Sequence, residues 1–190
     1  MKKILWIFYL GLILHPLAAQ QGLKADYYWL TAGRGSNTLT GETMHIAFST
    51  QMKKHIFNVS FYMSEERLNN PFVSKNPDIF IHDISFQYGR RWMEHFGFIV
   101  LSSGFSLITG KDRGRFEQRV DFMRNRVYEL YEIKSLTTIG IPVQMQLQIT
   151  PVKWLGIGIS MQGNINSKLP YAAFLITGTV GRVNKGGAFW

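Results

Sequence analysis

No cysteine occurs in the 190 residues. A disulfide framework, a thiolate metal site and a cysteine nucleophile are therefore excluded. Long hydrophobic runs are almost as scarce. One lies at the N-terminus, and after it no stretch reaches the roughly 20 apolar residues that a membrane helix needs. Acidic residues are few, 12 against 21 basic, giving a formal net charge of +9. A surplus of this sign points to an anionic surface as a contact. It comes without a nucleic-acid recognition motif. The histidines His45, His55, His82 and His95 are scattered outside any HExxH-like spacing, and GxSxG, Walker and Rossmann patterns are absent. The sequence thus calls for no metal and no cofactor.

What is present begins with Lys2 and Lys3, followed by the apolar run Ile4 to Leu14, then Pro16 and the small pair Ala18-Ala19. This is the layout of a secretory signal peptide over residues 1–19, with cleavage after Ala19. Eleven apolar residues are about half of a membrane span. Loss of Lys2 and Lys3 leaves a mature chain, 20–190, of charge +7. An exported chain without a second hydrophobic helix is periplasmic, secreted or a membrane β-barrel, and periodicity separates these.

Ile139, Ile141, Val143, Met145, Leu147 and Ile149 alternate with Thr138, Gly140, Pro142, Gln144, Gln146 and Gln148. A period of two is a strand, and twelve residues exceed the five or six usual in soluble proteins while suiting a membrane crossing. Pro142 is the awkward member, since it cannot donate to a ladder. Leu155, Ile157, Ile159 and Met161 repeat the pattern against Gly156, Gly158, Ser160 and Gln162. Similar alternation predicts strands over 28–34, 43–51, 55–64, 79–91, 96–109 and 171–183. The total is eight, an even number and the smallest usual for an outer-membrane barrel.

The connections divide into two sets. Met52 to Lys54, Trp92 to His95 and Thr150 to Lys153 are short. Glu65 to Asp78, Gly110 to Glu129 and Gly163 to Pro170 are long, and Gly35 to Gly41 is the one short member on their side. Short turns at one end and long loops at the other are the asymmetry of outer-membrane barrels, with short turns and both termini in the periplasm. Rings cluster near strand ends: Tyr27, Tyr28, Trp29, Trp92, Phe116, Phe122, Tyr128, Tyr131, Trp154 and Tyr171. They are expected to form interfacial girdles. The terminal Phe189-Trp190 also suits outer-membrane sorting.

Two groups of residues carry the candidate chemistry. Arg113, Arg115, Arg119, Arg124 and Arg126 lie in the segment Gly110 to Glu129, which has six basic and four acidic residues. Their guanidinium groups are suited to phosphates of lipopolysaccharide or another anionic surface polymer. His45, Asp83, Ser85, Gln87, Gln144, Gln146 and Gln148 fall on inward positions and are expected to form an interior polar network. The competing reading of the second group is acyl chemistry on lipids, in which His45 meets Asp83 or Ser85 across the barrel. A third reading is a soluble periplasmic barrel, which requires the aliphatic rows to face inward around an apolar ligand.

The segments Trp29-Leu30-Thr31-Ala32-Gly33-Arg34-Gly35, Thr138-Ile139-Gly140-Ile141-Pro142-Val143-Gln144, Leu155-Gly156-Ile157-Gly158 and Gly163-Asn164-Ile165-Asn166 resemble those of small outer-membrane β-barrel proteins of Bacteroidetes-type bacteria. The resemblance covers most of the mature chain. Its motifs are structural, so it implies fold and location and transfers no catalytic residue. The expectation is an all-β, eight-stranded, antiparallel up-and-down transmembrane β-barrel. It is expected to be monomeric and non-enzymatic, with outer-membrane lipids as its contacts and a structural or surface-interaction role.

Overall fold

The structure, a computed structural model, describes residues 25–39, 41–66, 73–76, 79–94, 96–122 and 126–183. The leader over 1–19 and the terminal Phe189-Trp190 lie outside the described residues. Nine strands follow in chain order among those described: β1 Tyr27–Asn37, β2 Gly41–Met52, β3 His55–Glu66, β4 Val73–Asn76, β5 Phe80–Glu94, β6 Gly97–Phe122, β7 Arg126–Val152, β8 Leu155–Asn166 and β9 Tyr171–Arg182. Eight of them close into a ring. Each barrel strand pairs antiparallel with the next, β3 pairs with β5, and β9 returns to β1. The ring is the expected up-and-down barrel. The short β4 stands outside it, pairing in parallel with residues 127–130 of β7.

Alternation in the sequence becomes an inside and an outside. Along β9 the inward positions Tyr171, Ala173, Leu175, Thr177 and Thr179 are buried, while Phe174, Ile176 and Val180 are exposed. On β7, Gln144, Gln146, Gln148 and Thr150 are buried, and Ile139, Ile141, Val143, Met145, Leu147 and Ile149 face out. The outer wall is an aliphatic and aromatic belt: Phe105 is 63% exposed and Ile176 67%. Soluble proteins do not leave a contiguous apolar surface of this extent in water. Covered by lipid, the same belt is stabilising, and closure satisfies the backbone hydrogen bonds within the ring. The chain is therefore a membrane-spanning barrel, and the soluble ligand carrier is overturned because the aliphatic rows point outward.

Pro142 shows how the wall tolerates a residue without an amide proton. It is in register with Asn164 on β8, but the β6–β7 ladder skips from Ser103↔Val143 to Ser106↔Gly140. Ser103, an outward serine, donates its hydroxyl to the Pro142 carbonyl at 2.9 Å. A polar side chain in the lipid belt and a carbonyl in the gap thereby satisfy each other.

The predicted connections need correction on one side. Gly110 to Glu129 is not a loop: β6 continues to Phe122 and β7 starts at Arg126. Beyond Lys111, which pairs with Phe80, β6 has left β5, and before Gly140 β7 has not yet met β8. The two therefore run on as a hairpin past the barrel rim. Register shifts between Arg113 and Phe116 and between Phe116 and Gln118 bulge its first strand. The expected loop over Glu65 to Asp78 contains β4, and β8 extends to Asn166, which shortens the last connection. The first strand is also longer than predicted, with 11 residues.

Candidate functional site

The lumen has three storeys. At the short-turn end, Tyr27, Trp29, Ile56, Phe98, Val100 and Val183 form an apolar cluster. Val183 reaches it because the chain bends inward after β9. Gly181 takes φ 142°, where a Cβ would meet the Tyr28 carbonyl at 2.5 Å, and the Val183 amide donates to the Lys153 carbonyl at 3.0 Å. Arg91 fills the centre of this floor. Its Cζ lies 3.8 Å from the ring centroid of Phe98 and 5.1 Å from those of Tyr27 and Trp29. Its guanidinium donates to Gln51 Oε1 at 2.8 Å and to the Val183 carbonyl.

The middle storey is polar. Asn58 donates to Gln144 Oε1 at 2.9 Å, joining β3 to β7, and Gln144 in turn donates to Ser160 Oγ at 3.2 Å. Gln148 donates to Thr177 Oγ1 at 2.6 Å, and Gln146 to Thr31 Oγ1 at 3.4 Å. On the facing wall, Ser102 donates to Gln87 Oε1 at 2.7 Å. Gln87 donates to Ser85 Oγ at 2.9 Å, and Ser85 shares a 2.6 Å bond with Ser60. These are mutual amide and hydroxyl pairings of the kind that keep buried polar groups tolerable.

The upper storey centres on Asp83. Its Oδ2 accepts from Asn164 Nδ2 at 2.6 Å and from the Tyr171 hydroxyl at 2.7 Å. The Tyr171 ring stacks on Tyr62 with centroids 4.7 Å apart, and Asn37 donates to the Tyr62 hydroxyl at 2.7 Å. Ile81, Ile108 and Leu136 pack together nearby. The barrel is thus filled at its floor, middle and top by its own side chains.

The structure places the predicted residues unevenly. Asp83, Ser85, Gln87, Gln144, Gln146 and Gln148 all lie inside, bonded as above. His45 is buried on the inward face, but neither ring nitrogen has a hydrogen-bond partner among the described residues. It is not hydrogen-bonded to Asp83 or to Ser85. Asp83 Oδ2 accepts from Asn164 and Tyr171, and Asp83 Oδ1 has no partner among the described residues. Ser85 Oγ is engaged by Ser60 and Gln87, so His45 and Ser85 form no base–nucleophile pair. Among the described residues no group of three His, Asp or Glu side chains is placed to hold a metal ion. Arg113 and Arg115 stand on the hairpin; Arg113 Cζ lies 5.6 Å from the Tyr131 ring centroid, and Arg115 is exposed. Arg119 and Arg126 belong to its strands by backbone, and Arg124 lies outside the described residues.

Sequence reasoning missed Arg91, Tyr62, Asn37 and Asn164. Parity held the signal for Arg91, which shares the face of Asp83, Ser85, Gln87 and Gly89. The same parity corrects the girdle. Tyr27, Trp29 and Tyr171 point into the lumen, whereas Tyr28, Trp92, Phe116 and Trp154 are exposed. Tyr131 is half-buried, and the side chains of Phe122 and Tyr128 lie outside the described residues.

No family model and no curated protein matches the chain. Solved structures do. Ail, the attachment invasion locus protein of Yersinia pestis, superposes with a TM-score of 0.55 at 9% identity, covering 83% of this chain and 99% of that one. The N-terminal β-barrel domain of Pseudomonas aeruginosa OprF gives 0.54 at 4% identity over 83% and 98%. Neisserial surface protein A gives 0.53 at 11% identity over 83% and 96%. At these identities the likeness is one of fold: the chain is an eight-stranded barrel of the outer-membrane type.

Proposed function

We propose that this protein is a monomeric outer-membrane barrel with a structural and surface-interaction role, similar to small barrels of Bacteroidetes-type bacteria. In this reading the termini and short turns lie in the periplasm, and the β6–β7 hairpin stands outside the cell. The observation that carries it is the hairpin itself, continuing past the rim of a barrel whose lumen is filled. A filled lumen is a poor conduit. A closed ring leaves no unpaired barrel edge for a second copy, which favours a monomer.

The hairpin is proposed to contact anionic glycolipid, such as lipopolysaccharide, through Arg113 and Arg115, with Arg119, Arg124 and Arg126 further along the segment. Guanidinium groups match phosphate geometry by two parallel hydrogen bonds. Ail has been crystallised with the heparin analogue sucrose octasulfate, which makes a polyanionic glycan a sensible probe for a barrel of this architecture.

The test has two arms. Protease added to intact cells should cut within 112–139 and leave the barrel whole. Purified full-length barrel in nanodiscs should bind lipopolysaccharide, and R113Q with R115Q should weaken that binding about tenfold, in a salt-dependent manner. Protection of the hairpin in intact cells, or unchanged binding by the double variant, counts against the reading.

A further inference from the structure

Most of the barrel's positive surplus lies off the hairpin segment, where six basic residues face four acidic ones. Lys53 and Lys54 make the β2–β3 turn, Lys153 precedes Trp154 in the β7–β8 turn, and Arg90 and Arg182 occupy outward positions near strand ends at the same rim. All five are exposed, and no ion pair among the described residues engages them. Two acidic residues share this rim. Asp26 already accepts the Lys53 amide at 2.7 Å, and the side chain of Glu94 lies outside the described residues.

The opposite end differs. Arg34 is paired with Glu42. Apart from that pair, this end has eight basic and seven acidic residues among the described ones, counted from Glu65 to Lys75 and from Lys111 to Lys168 without the turn at the other rim. The charge surplus therefore concentrates at the short-turn rim.

Rings interleave with these cations. Tyr28 stands opposite Arg182 in register, and His55, bonded and stacked on Tyr88, stands opposite Arg90. Trp92 is 51% and Trp154 55% exposed. Just above them begins the aliphatic belt. Tryptophan and tyrosine settle at the level of lipid headgroups, and lysine and arginine beside them reach phosphates.

We propose that the short-turn rim is a binding surface for anionic phospholipid headgroups in the leaflet it faces. Lys53, Lys54, Arg90, Lys153 and Arg182 engage the phosphates, and Trp92 and Trp154 fix the depth. The occupant follows from charge complementarity and continuity: unpaired cations sit at the edge of a lipid-covered surface, where a phosphodiester is the nearest available anion. Each contacting cation favours an anionic over a zwitterionic lipid by at most on the order of fivefold.

The experiment uses the full-length barrel in vesicles of phosphatidylcholine with 30% phosphatidylglycerol. Brominated versions of either lipid quench the interfacial tryptophans and report which lipid is adjacent. The expected result is a several-fold enrichment of phosphatidylglycerol that falls at high salt. It is lost in the combined K53Q, K54Q, R90Q, K153Q, R182Q variant and kept in R113Q with R115Q. A folded-versus-boiled gel shift verifies that each variant is a barrel, and the single K53Q and K153Q variants, both in turns, keep the test open if the combined one does not fold. Equal quenching by the two lipids in the wild type overturns the proposal, as does enrichment that survives all five neutralisations. Because the hairpin variants are the control here, this test fails independently of the lipopolysaccharide reading.

Discussion

The guanidinium of Arg91 lies against the face of Phe98, 3.8 Å from its ring centroid, while its nitrogens donate to Gln51 and to the carbonyl of Val183. One inward arginine thus ties β5, β6 and β2 to the residue following β9. Desolvating a guanidinium is costly, and here rings and oxygens compensate it. Arg91→Ala removes those contacts and leaves a gap in the floor. It should destabilise the barrel by about 2–4 kcal/mol, combining a desolvated cation–π contact with two charge-assisted hydrogen bonds. Urea unfolding in detergent, followed by tryptophan fluorescence, measures it; an unchanged midpoint would show that the floor does not depend on Arg91.

At the upper storey, Tyr171→Phe keeps the stack on Tyr62 and deletes the 2.7 Å bond to Asp83. The expected loss is roughly 1–3 kcal/mol, the cost of leaving a buried hydrogen-bonding group without its partner. Tyr171→Ala should lose more, since stack and bond go together. Comparing the two unfolding midpoints separates ring from hydroxyl, and equal losses would assign the whole effect to packing.

Two glycines on neighbouring strands should differ in their tolerance of alanine. A Cβ on Gly158 would stand 1.9 Å from the Leu147 carbonyl oxygen, whereas one on Gly178 would meet nothing within 4 Å. Gly158→Ala must displace backbone and should cost about 1–3 kcal/mol. Gly178→Ala should stay within about 0.5 kcal/mol of the wild type. A gel-shift melting series on the two variants checks the contrast.

The outer wall predicts a depth profile. Phe86 stacks with Phe105 at 5.4 Å on the apolar belt, while Trp92 sits near the short-turn rim. Phe86→Arg should cost about 2–4 kcal/mol and Trp92→Arg no more than about 1. Equal costs in lipid vesicles would mean that the two positions lie at one depth.

Legibility followed the presence of an apolar face. The β7 run from Ile139 to Ile149 was readable residue by residue because one face is aliphatic and the other amide or small. The hairpin was not. From Lys111 to Phe122 every odd position is charged, while the opposite row, Asp112, Gly114, Phe116, Gln118, Val120 and Phe122, mixes polar and apolar residues. The alternation is present but lacks an aliphatic face, and a run of charge reads as a loop. Residue type alone sends Tyr27 and Trp29 to a girdle, whereas their parity with Thr31 puts them inside. The interior network could be named by position, but its partners could not. That Asn58 meets Gln144, and Tyr171 meets Asp83, depends on the stagger of strands far apart in sequence. Parity puts His45 on the inward face with Asp83 and Ser85, but it is hydrogen-bonded to neither.

Ring closure has a temporal consequence. The seam joins Tyr28 to Arg182, the first strand to the last, and the floor includes Val183. Until the final strand has been synthesised and exported, neither edge of the growing sheet has its mate. A chain stopped after β8 would carry two open edges and an uncovered apolar wall. Commitment to the bilayer is therefore a late, all-at-once event, and the preceding interval in water calls for an escort that shields the unfinished chain.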